Sequence, residues 1–310
     1  MLNNQYELNQ SLLYQCHSKK KLARILQIDI KEMLSISENP QYFSFKKKKK
    51  NSMDERDIEA PEASLKKIQR RIFTLLKRIR KPAYLMAGEK GKSTYSNAEF
   101  HQYNSFFLKL DMANFYPNCK REYVYNFFFL KMHCSKDVSK ILCDLTCHNG
   151  ALIQGSSASM VLTYFAYEDM FSEIDSFLKS QDLIWTTWVD DITISKSEPF
   201  NKDNIILKIS RILVAYGHHL KPKKTRYIKS NSPKLVTGVI INKKNDLKVR
   251  NQTRNEIIKM FQRFNNRDDF VDTDEFEHLR KQLLGKISFA QQTEPHLFSE
   301  LRKKVKAKSY

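Results

Sequence analysis

No stretch of the chain restricts its folding more than Leu183-Ile-Trp-Thr-Thr-Trp-Val-Asp-Asp-Ile-Thr-Ile-Ser195, where β-branched and aromatic residues alternate with polar ones on both sides of two adjacent carboxylates. The alternation predicts two short antiparallel strands, with Asp190 and Asp191 at or beside the turn between them. Neighbouring acids repel unless a cation or a basic group holds them. Taken alone, the dipeptide reads as a solvated hairpin tip, because Asp is a common turn residue. What overrides that reading is the rest of the chain.

Lys and Arg outnumber Asp and Glu by 54 to 34, a net charge of +20 spread along most of the 310 residues. A field of that size points to a polyanionic partner, nucleic acid above all. A hydrophobic fraction of 41% supports a folded core, in one large domain or two to three subdomains. No apolar run is long enough to span a bilayer, and the polar start Met-Leu-Asn-Asn-Gln-Tyr-Glu is unlike a signal peptide, so a cytoplasmic protein without membrane partners is expected. The five cysteines suggest no disulfide framework. Cys143 and Cys147, with His148 adjacent and His133-Cys134 upstream, read as small buried thiols rather than a zinc site, since no Cys-x-x-Cys pair occurs.

Apolar positions at helical spacing predict short helices up to about residue 39. Tyr42-Phe-Ser-Phe45 and Arg56-Asp-Ile-Glu-Ala-Pro61 then read as strands flanking the lysines of 46–50, which would lie at a hairpin tip. Leu65, Ile68, Ile72, Leu75, Leu76 and Ile79 mark one face of a basic amphipathic helix. Gly88-Glu-Lys-Gly-Lys-Ser93 imitates the end of a phosphate-binding loop, but Met86 stands where the first glycine is required, and a mobile loop is expected instead. Phe106-Phe-Leu-Lys-Leu-Asp111 is a strong strand ending on a carboxylate. Gly150-Ala-Leu-Ile-Gln-Gly-Ser-Ser-Ala-Ser159 is a small-residue loop opening an apolar helix over 160–171, where a ligand or another backbone can come close. His218-His219 reads as a polar turn after a helix rather than a metal site, and Lys234 to Asn242 as a strand or tight hairpin.

An aspartate at a strand end and a second at a neighbouring hairpin are what nucleotidyl transfer requires. That reaction uses two divalent ions about 4 Å apart, one activating a 3′-hydroxyl and the other holding the triphosphate. Hard ions such as Mg²⁺ take carboxylate oxygens. Asp111, Asp190 and Asp191 supply them, and the element order of strand, helices, small-residue loop, helix and hairpin is that of an antiparallel sheet backed by helices, as in a polymerase palm.

These residues resemble the motifs of reverse transcriptases, and of the bacterial retron type in particular, over nearly the whole chain. Asp111-Met-Ala-Asn-Phe-Tyr116 is similar to the first catalytic motif, Ile153-Gln-Gly-Ser-Ser-Ala-Ser159 to the Gln-Gly loop against the incoming nucleotide, Trp188-Val-Asp-Asp191 to the aromatic-x-Asp-Asp box, and Leu220 to Thr225 to the lysine-bearing motif after it. Asn97-Ala-Glu-Phe-His101 and Val236-Thr-Gly238 resemble the retron Asn-Ala-x-x-His insertion and Val-Thr-Gly triplet. The sequence differs from the common pattern at Ser157 and Met160, where prolines are usual, and at Trp188, where Tyr is usual.

The resemblance implies an α+β right-hand polymerase fold: an N-terminal helical lead-in over 1–41, fingers with the retron insertion over 42–107, an antiparallel-sheet palm over 108–242 and a helical, RNA-binding thumb over 243–310. It implies Asp111, Asp190 and Asp191 as metal ligands for two Mg²⁺, with Mn²⁺ as a substitute. Lys224 would act as the acid for the leaving pyrophosphate. The dNTP pocket would comprise Arg56, Met112, Tyr116, Gln154 and Gly155, with Arg56 on the triphosphate and the Tyr116 ring excluding a 2′-hydroxyl.

Nucleic-acid contacts are expected at Asn97, His101, Val236, Thr237 and Gly238 in the retron-like segments, and at Arg250 and Arg254 in a thumb rich in Lys and Arg. The implied activity is copying part of a cognate structured noncoding RNA, from a 2′-hydroxyl of that RNA, into branched RNA-linked DNA. Implied partners are that RNA and its DNA product, dNTPs, a host ribonuclease H and a separate effector protein in antiphage defence. The alternatives are a group II intron or diversity-generating reverse transcriptase, or an RNA-binding scaffold with a vestigial polymerase site.

Overall fold

The computed structural model describes residues 5–48, 55–266, 270 and 272–308, without the side chains of 47, 48, 56 and 57. Behind Ser18, whose hydroxyl accepts from Lys21 N, helix α1 (Lys19–Leu26) buries Leu22, Ile25 and Leu26. Asp29 caps α2 (Ile30–Glu38) in the same way, and Met33 of that helix is fully buried. These side chains belong to the same core as the central sheet, so the lead-in is packed into the main body.

Strands β1 (Tyr42–Lys48) and β2 (Glu55–Pro61) form an antiparallel hairpin in register from Tyr42 opposite Pro61 to Lys48 opposite Glu55. Lys49 and Lys50 of the lysine run lie outside the described residues. Helix α3 (Ala63–Leu76) buries Leu65, Ile68, Ile72, Leu75 and Leu76 and leaves Lys66, Lys67 and Arg70 exposed. The segment 88–93, expected as a mobile loop, is tied down instead. Lys81 Nζ sits 3.3 Å from Glu89 Oε1 with both side chains nearly buried, and Lys92 Nζ donates to the carbonyls of Ala83 and Leu85 at 2.7 Å. An ion pair across eight residues leaves no periodic trace in a sequence, which is why pattern alone misread it.

Helix α4 (Thr94–Phe100), capped by Ser93, leads into β3 (Phe106–Ala113). The chain then runs through α5 (Phe115–Asn118), α6 (Arg121–Asn126), α7 (Lys136–Thr146), the short strands β4 (Cys147–His148) and β5 (Ala151–Leu152), α8 (Ser159–Ala166) and α9 (Glu168–Lys179). It returns to the sheet as β6 (Ile184–Trp188) and β7 (Asp191–Lys196), crosses α10 (Lys202–Ala215), and adds β8 (His219–Leu220) and β9 (Arg226–Ile228). β3 occupies the centre of this five-stranded antiparallel sheet, with β7 and then β6 on one side and β8 and β9 along the other. It does not stop at Asp111: Met112 and Ala113 continue the pairing, opposite Leu220 and His219.

The helix expected over 160–171 is broken between α8 and α9 at Tyr167. The buried Tyr167 hydroxyl accepts from Lys120 N and donates to Asn118 O, each at 2.9 Å, which turns the residue towards the α5–α6 link. His218 also differs from expectation, lying fully buried rather than on a polar turn. Its ring packs against Phe115 at 5.4 Å and edge-on to Tyr167 at 4.6 Å, and burial lowers its pKa to about 4. All five cysteines are buried thiols, and burial pushes Cys134 up to about 11 and Cys147 to about 12.

Strands β10 (Lys234–Val236) and β11 (Val239–Ile241) form the tight hairpin, extended by a third strand, β12 (Leu247–Val249), too short to show as a pattern. Helices α11 (Asn251–Asn265), α12 (Thr273–Thr293) and α13 (Ser299–Ala307) follow, around a core of their own that includes Ile257, Phe264, Phe276, Leu283 and Val305. The α+β class stands: a finger-like hairpin, an antiparallel sheet backed by helices and a terminal helical unit succeed one another along the chain. No described helix is long and apolar enough to cross a membrane.

Candidate active site

Trp188 pairs with Asp191, so the turn between β6 and β7 contains only Val189 and Asp190. Val189 has φ +60°, a strained conformation for a β-branched residue and one that such turns ordinarily give to glycine at this position. Two hydrogen bonds hold it: Thr187 Oγ1 donates to Val189 O at 3.0 Å, and Met112 N donates to Asp190 O at 3.0 Å. The outer edge is braced as well. Thr187 N donates to Tyr84 O at 2.9 Å, Met86 N donates to Thr187 O at 3.1 Å, and Tyr84 stacks on Trp185 at 4.3 Å.

Across the sheet, Asp111 stands directly opposite Asp191, which puts both carboxylates on one face. Lys221 N donates to Asp111 O at 2.7 Å, and Lys224 Nζ lies 2.5 Å from Asp111 Oδ2. This bond to Asp111 raises the Lys224 pKa. Burial pushes the Asp190 carboxyl above its usual range; a backbone hydrogen bond opposes this, and repulsion from Asp111 and Asp191 adds to it.

The site therefore carries concentrated negative charge on hard oxygen donors, a set suited to Mg²⁺ or Mn²⁺. Its acids are not drawn together into a closed chelate: among the described residues no group of three or more His, Cys, Asp or Glu converges closely enough to hold an ion.

Asp111, Asp190, Asp191 and Lys224 line one cleft of about 1210 Å³, shared with Met112, Tyr116 and Gln154 and roofed by β2 residues including Glu59. Tyr116 is half-buried, packs edge-on to Phe115 at 5.7 Å, and has its hydroxyl pushed up to about 12 by burial. Met112 is almost fully buried, while Gln154 is exposed.

At Gly155 the close approach is by another backbone, because an added Cβ would lie 1.9 Å from Glu59 O. The glycine lets the hairpin seat on the Gln-Gly loop. Arg56 lies opposite Lys47 in that hairpin, and its side chain is outside the described residues. His148 was not anticipated as part of this seat: its ring packs at a tilt against Tyr42 at 4.1 Å, and Nε2 lies 3.6 Å from Glu59 Oε1.

Several expected nucleic-acid contacts need correction. Asn97, His101 and Val236 are 1%, 0% and 0% exposed, so their side chains face the core and cannot touch a nucleic acid in this structure. His101 bonds Ser195 Oγ at 2.7 Å through Nδ1 and Thr186 Oγ1 at 2.8 Å through Nε2, and burial lowers its pKa to about 3, keeping it neutral. Asn97 Nδ2 donates to Thr237 Oγ1 at 3.3 Å, and that hydroxyl donates to Thr94 O at 3.2 Å.

Thr237 and Gly238 both have positive φ, 44° and 93°, as a two-residue type I′ turn demands. The two segments resembling retron motifs thus meet: α4 is a strut from the β6–β7 hairpin to the β10–β11 hairpin. Arg254 is also committed internally, to Glu294 and to Val249 O. Thr237, Gly238 and the exposed Arg250 line a second cavity of about 570 Å³ with Lys286 and Phe289. Sequence separations of 94 and 140 residues hide such contacts from any local pattern.

No family model matches the chain. It is 30% identical over 231 residues to the retron Se72 reverse transcriptase of Salmonella heidelberg, covering 72% of this chain and 61% of that protein. Similarity to the retron Ec83 reverse transcriptase of Escherichia coli is 26% over 270 residues, covering 82% and 84%. The retron Ec86 reverse transcriptase of the same organism is 25% identical over 187 residues, covering 60% and 58%. The chain thus spans about three fifths of the length of the Se72 protein. Among solved structures, telomerase from Candida albicans aligns with a TM-score of 0.49 at 10% identity, over 84% of this chain and 58% of that one. A foamy viral protease-reverse transcriptase aligns with 0.47 at 16%, over 87% and 38%.

Proposed function

We propose that this chain, whose sequence is of the retron reverse transcriptase type, is an RNA-directed DNA polymerase that extends from a 2′-hydroxyl of its cognate noncoding RNA into branched RNA-linked DNA. The observation that carries the reading is that Asp111, Asp190 and Asp191 line one cleft with Tyr116 and Gln154, on a strained hairpin turn that hydrogen bonds hold in place. The similarity to proteins named as retron reverse transcriptases supports the template class.

Asp111, Asp190 and Asp191 would hold two Mg²⁺, whose chemistry when bound is to acidify the primer hydroxyl and neutralise the triphosphate. The remaining work belongs to the chain. The Tyr116 ring, braced by Phe115, sets the floor under the sugar and excludes a 2′-hydroxyl. Gln154 faces the incoming nucleotide from the cleft wall. Lys224, on the rim of the same cleft, donates the proton to departing pyrophosphate. Arg56 on the overhanging hairpin meets the triphosphate. An effector protein and a host ribonuclease H complete the system in antiphage defence.

The test is primer extension by the purified chain on an RNA template with dNTPs and Mg²⁺, alongside synthesis from the structured RNA encoded next to its gene. We expect DNA from both, and a product resistant to separation from RNA only in the second. Asp190→Asn should abolish synthesis while RNA binding persists, since it neutralises one ligand and leaves the basic surface intact. Folded Asp190→Asn protein that still synthesises DNA would remove Asp190 from the site.

A further inference from the structure

We infer that Lys224 is a placeholder cation: without metal its ammonium occupies the Asp111 carboxylate, and it must leave before a divalent ion can bind there. This rests on the reading of Asp111, Asp190 and Asp191 as a cation site. The Asp111 side chain is 8% exposed and the Lys224 side chain 52%, with 2.5 Å between Nζ and Oδ2. A buried carboxylate without compensation is costly, so Asp111 needs a partner cation, and Lys224 is that partner here. A half-exposed lysine on a flexible stem supplies that charge and can withdraw into water at little cost.

The backbone around this pair is fixed, while the Lys224 side chain is half exposed. Lys221 N donates to Asp111 O at 2.7 Å and Lys224 N to Lys221 O at 3.0 Å, locking the turn over Pro222–Lys224 against β3. Release of Asp111 therefore requires only rotation of the Lys224 stem. The inference gives Lys224 two successive places in one cleft. It also orders events: Lys224 is freed towards the arriving triphosphate only after metal has taken Asp111.

The test measures Mn²⁺ binding to the full chain by electron paramagnetic resonance of the free ion, without nucleotide or nucleic acid. Lys224→Met keeps the stem and removes the charge, and should bind Mn²⁺ about tenfold more tightly, the low end of what an opposite charge adds to a carboxylate. Lys224→Arg keeps the charge and should match the wild type. Equal affinity in all three proteins, with binding still abolished by Asp190→Asn, overturns the placeholder and leaves the cation site standing. Absence of Mn²⁺ binding in wild type and Lys224→Met overturns both. As an independent readout, acylation of Lys224 followed by mass spectrometry should be slow in metal-free wild type and accelerate when Mg²⁺ is added; a rate indifferent to Mg²⁺ overturns the inference.

Discussion

His101→Ala separates a strut from a nucleic-acid contact. The substitution removes the bonds to Ser195 Oγ and Thr186 Oγ1, at 2.7 and 2.8 Å, from a fully buried site. Ser195 keeps a partner in Asn104 Nδ2 at 2.9 Å, so that loss amounts to about 1 kcal/mol. Thr186 Oγ1 is left stranded in the core, at about 1–3 kcal/mol. The cavity left by the ring adds about 1–2 kcal/mol. The expected loss of about 3–6 kcal/mol is a large part of the roughly 5–15 kcal/mol that stabilises a typical protein.

Urea denaturation monitored by tryptophan fluorescence reads it directly, because Trp185 and Trp188 lie on the strand that carries Thr186. His101→Gln, able to restore one bond, should recover part of the loss. Unchanged stability in His101→Ala together with weaker RNA binding would refute the strut and restore a contact role.

The same ring makes stability depend on pH. Its folded pKa of about 3 lies below the ordinary 6.5, so between these values the unfolded chain binds a proton that the folded one refuses. Stability should therefore fall as pH drops from about 6.5 towards 3, with a limiting slope of about 1.4 kcal/mol per pH unit, and His101→Ala should show a shallower fall. Tyr116→Ala should lower discrimination between dNTP and rNTP at least about tenfold in steady-state kinetics, as the ring alone blocks the 2′-hydroxyl; unchanged discrimination would place the gate elsewhere. Gly155→Ala drives a Cβ to 1.9 Å from Glu59 O and should cost about 1–3 kcal/mol while raising the KM for dNTP, because the hairpin is lifted from its seat. Arg250→Ala should reduce the salt slope of RNA binding by about 1, whereas Arg254→Ala, whose guanidinium is spent on Glu294, should leave the slope unchanged and lower stability; equal slopes in the two variants would contradict the assignment.

The local features of this molecule were legible residue by residue. Alternation around Asp190-Asp191 announced the hairpin, the apolar run into Asp111 its partner strand, and helical spacing from Leu65 to Ile79 the basic helix. Each depends on a repeat of two or 3.6 residues that neighbouring side chains print directly into the sequence. Small residues at 155–159 signalled a close approach, but only the fold shows that Glu59 makes it. The buried states of Asn97, His101 and His218, the break at Tyr167, and the Lys81–Glu89 pair were decided by tertiary packing. A polar residue has the same spacing in a sequence whether it faces water or bonds a partner far along the chain. Which of the two it does is set by the low dielectric of the core, where a hydroxyl or imidazole without a partner is too costly to keep and a distant strand supplies one.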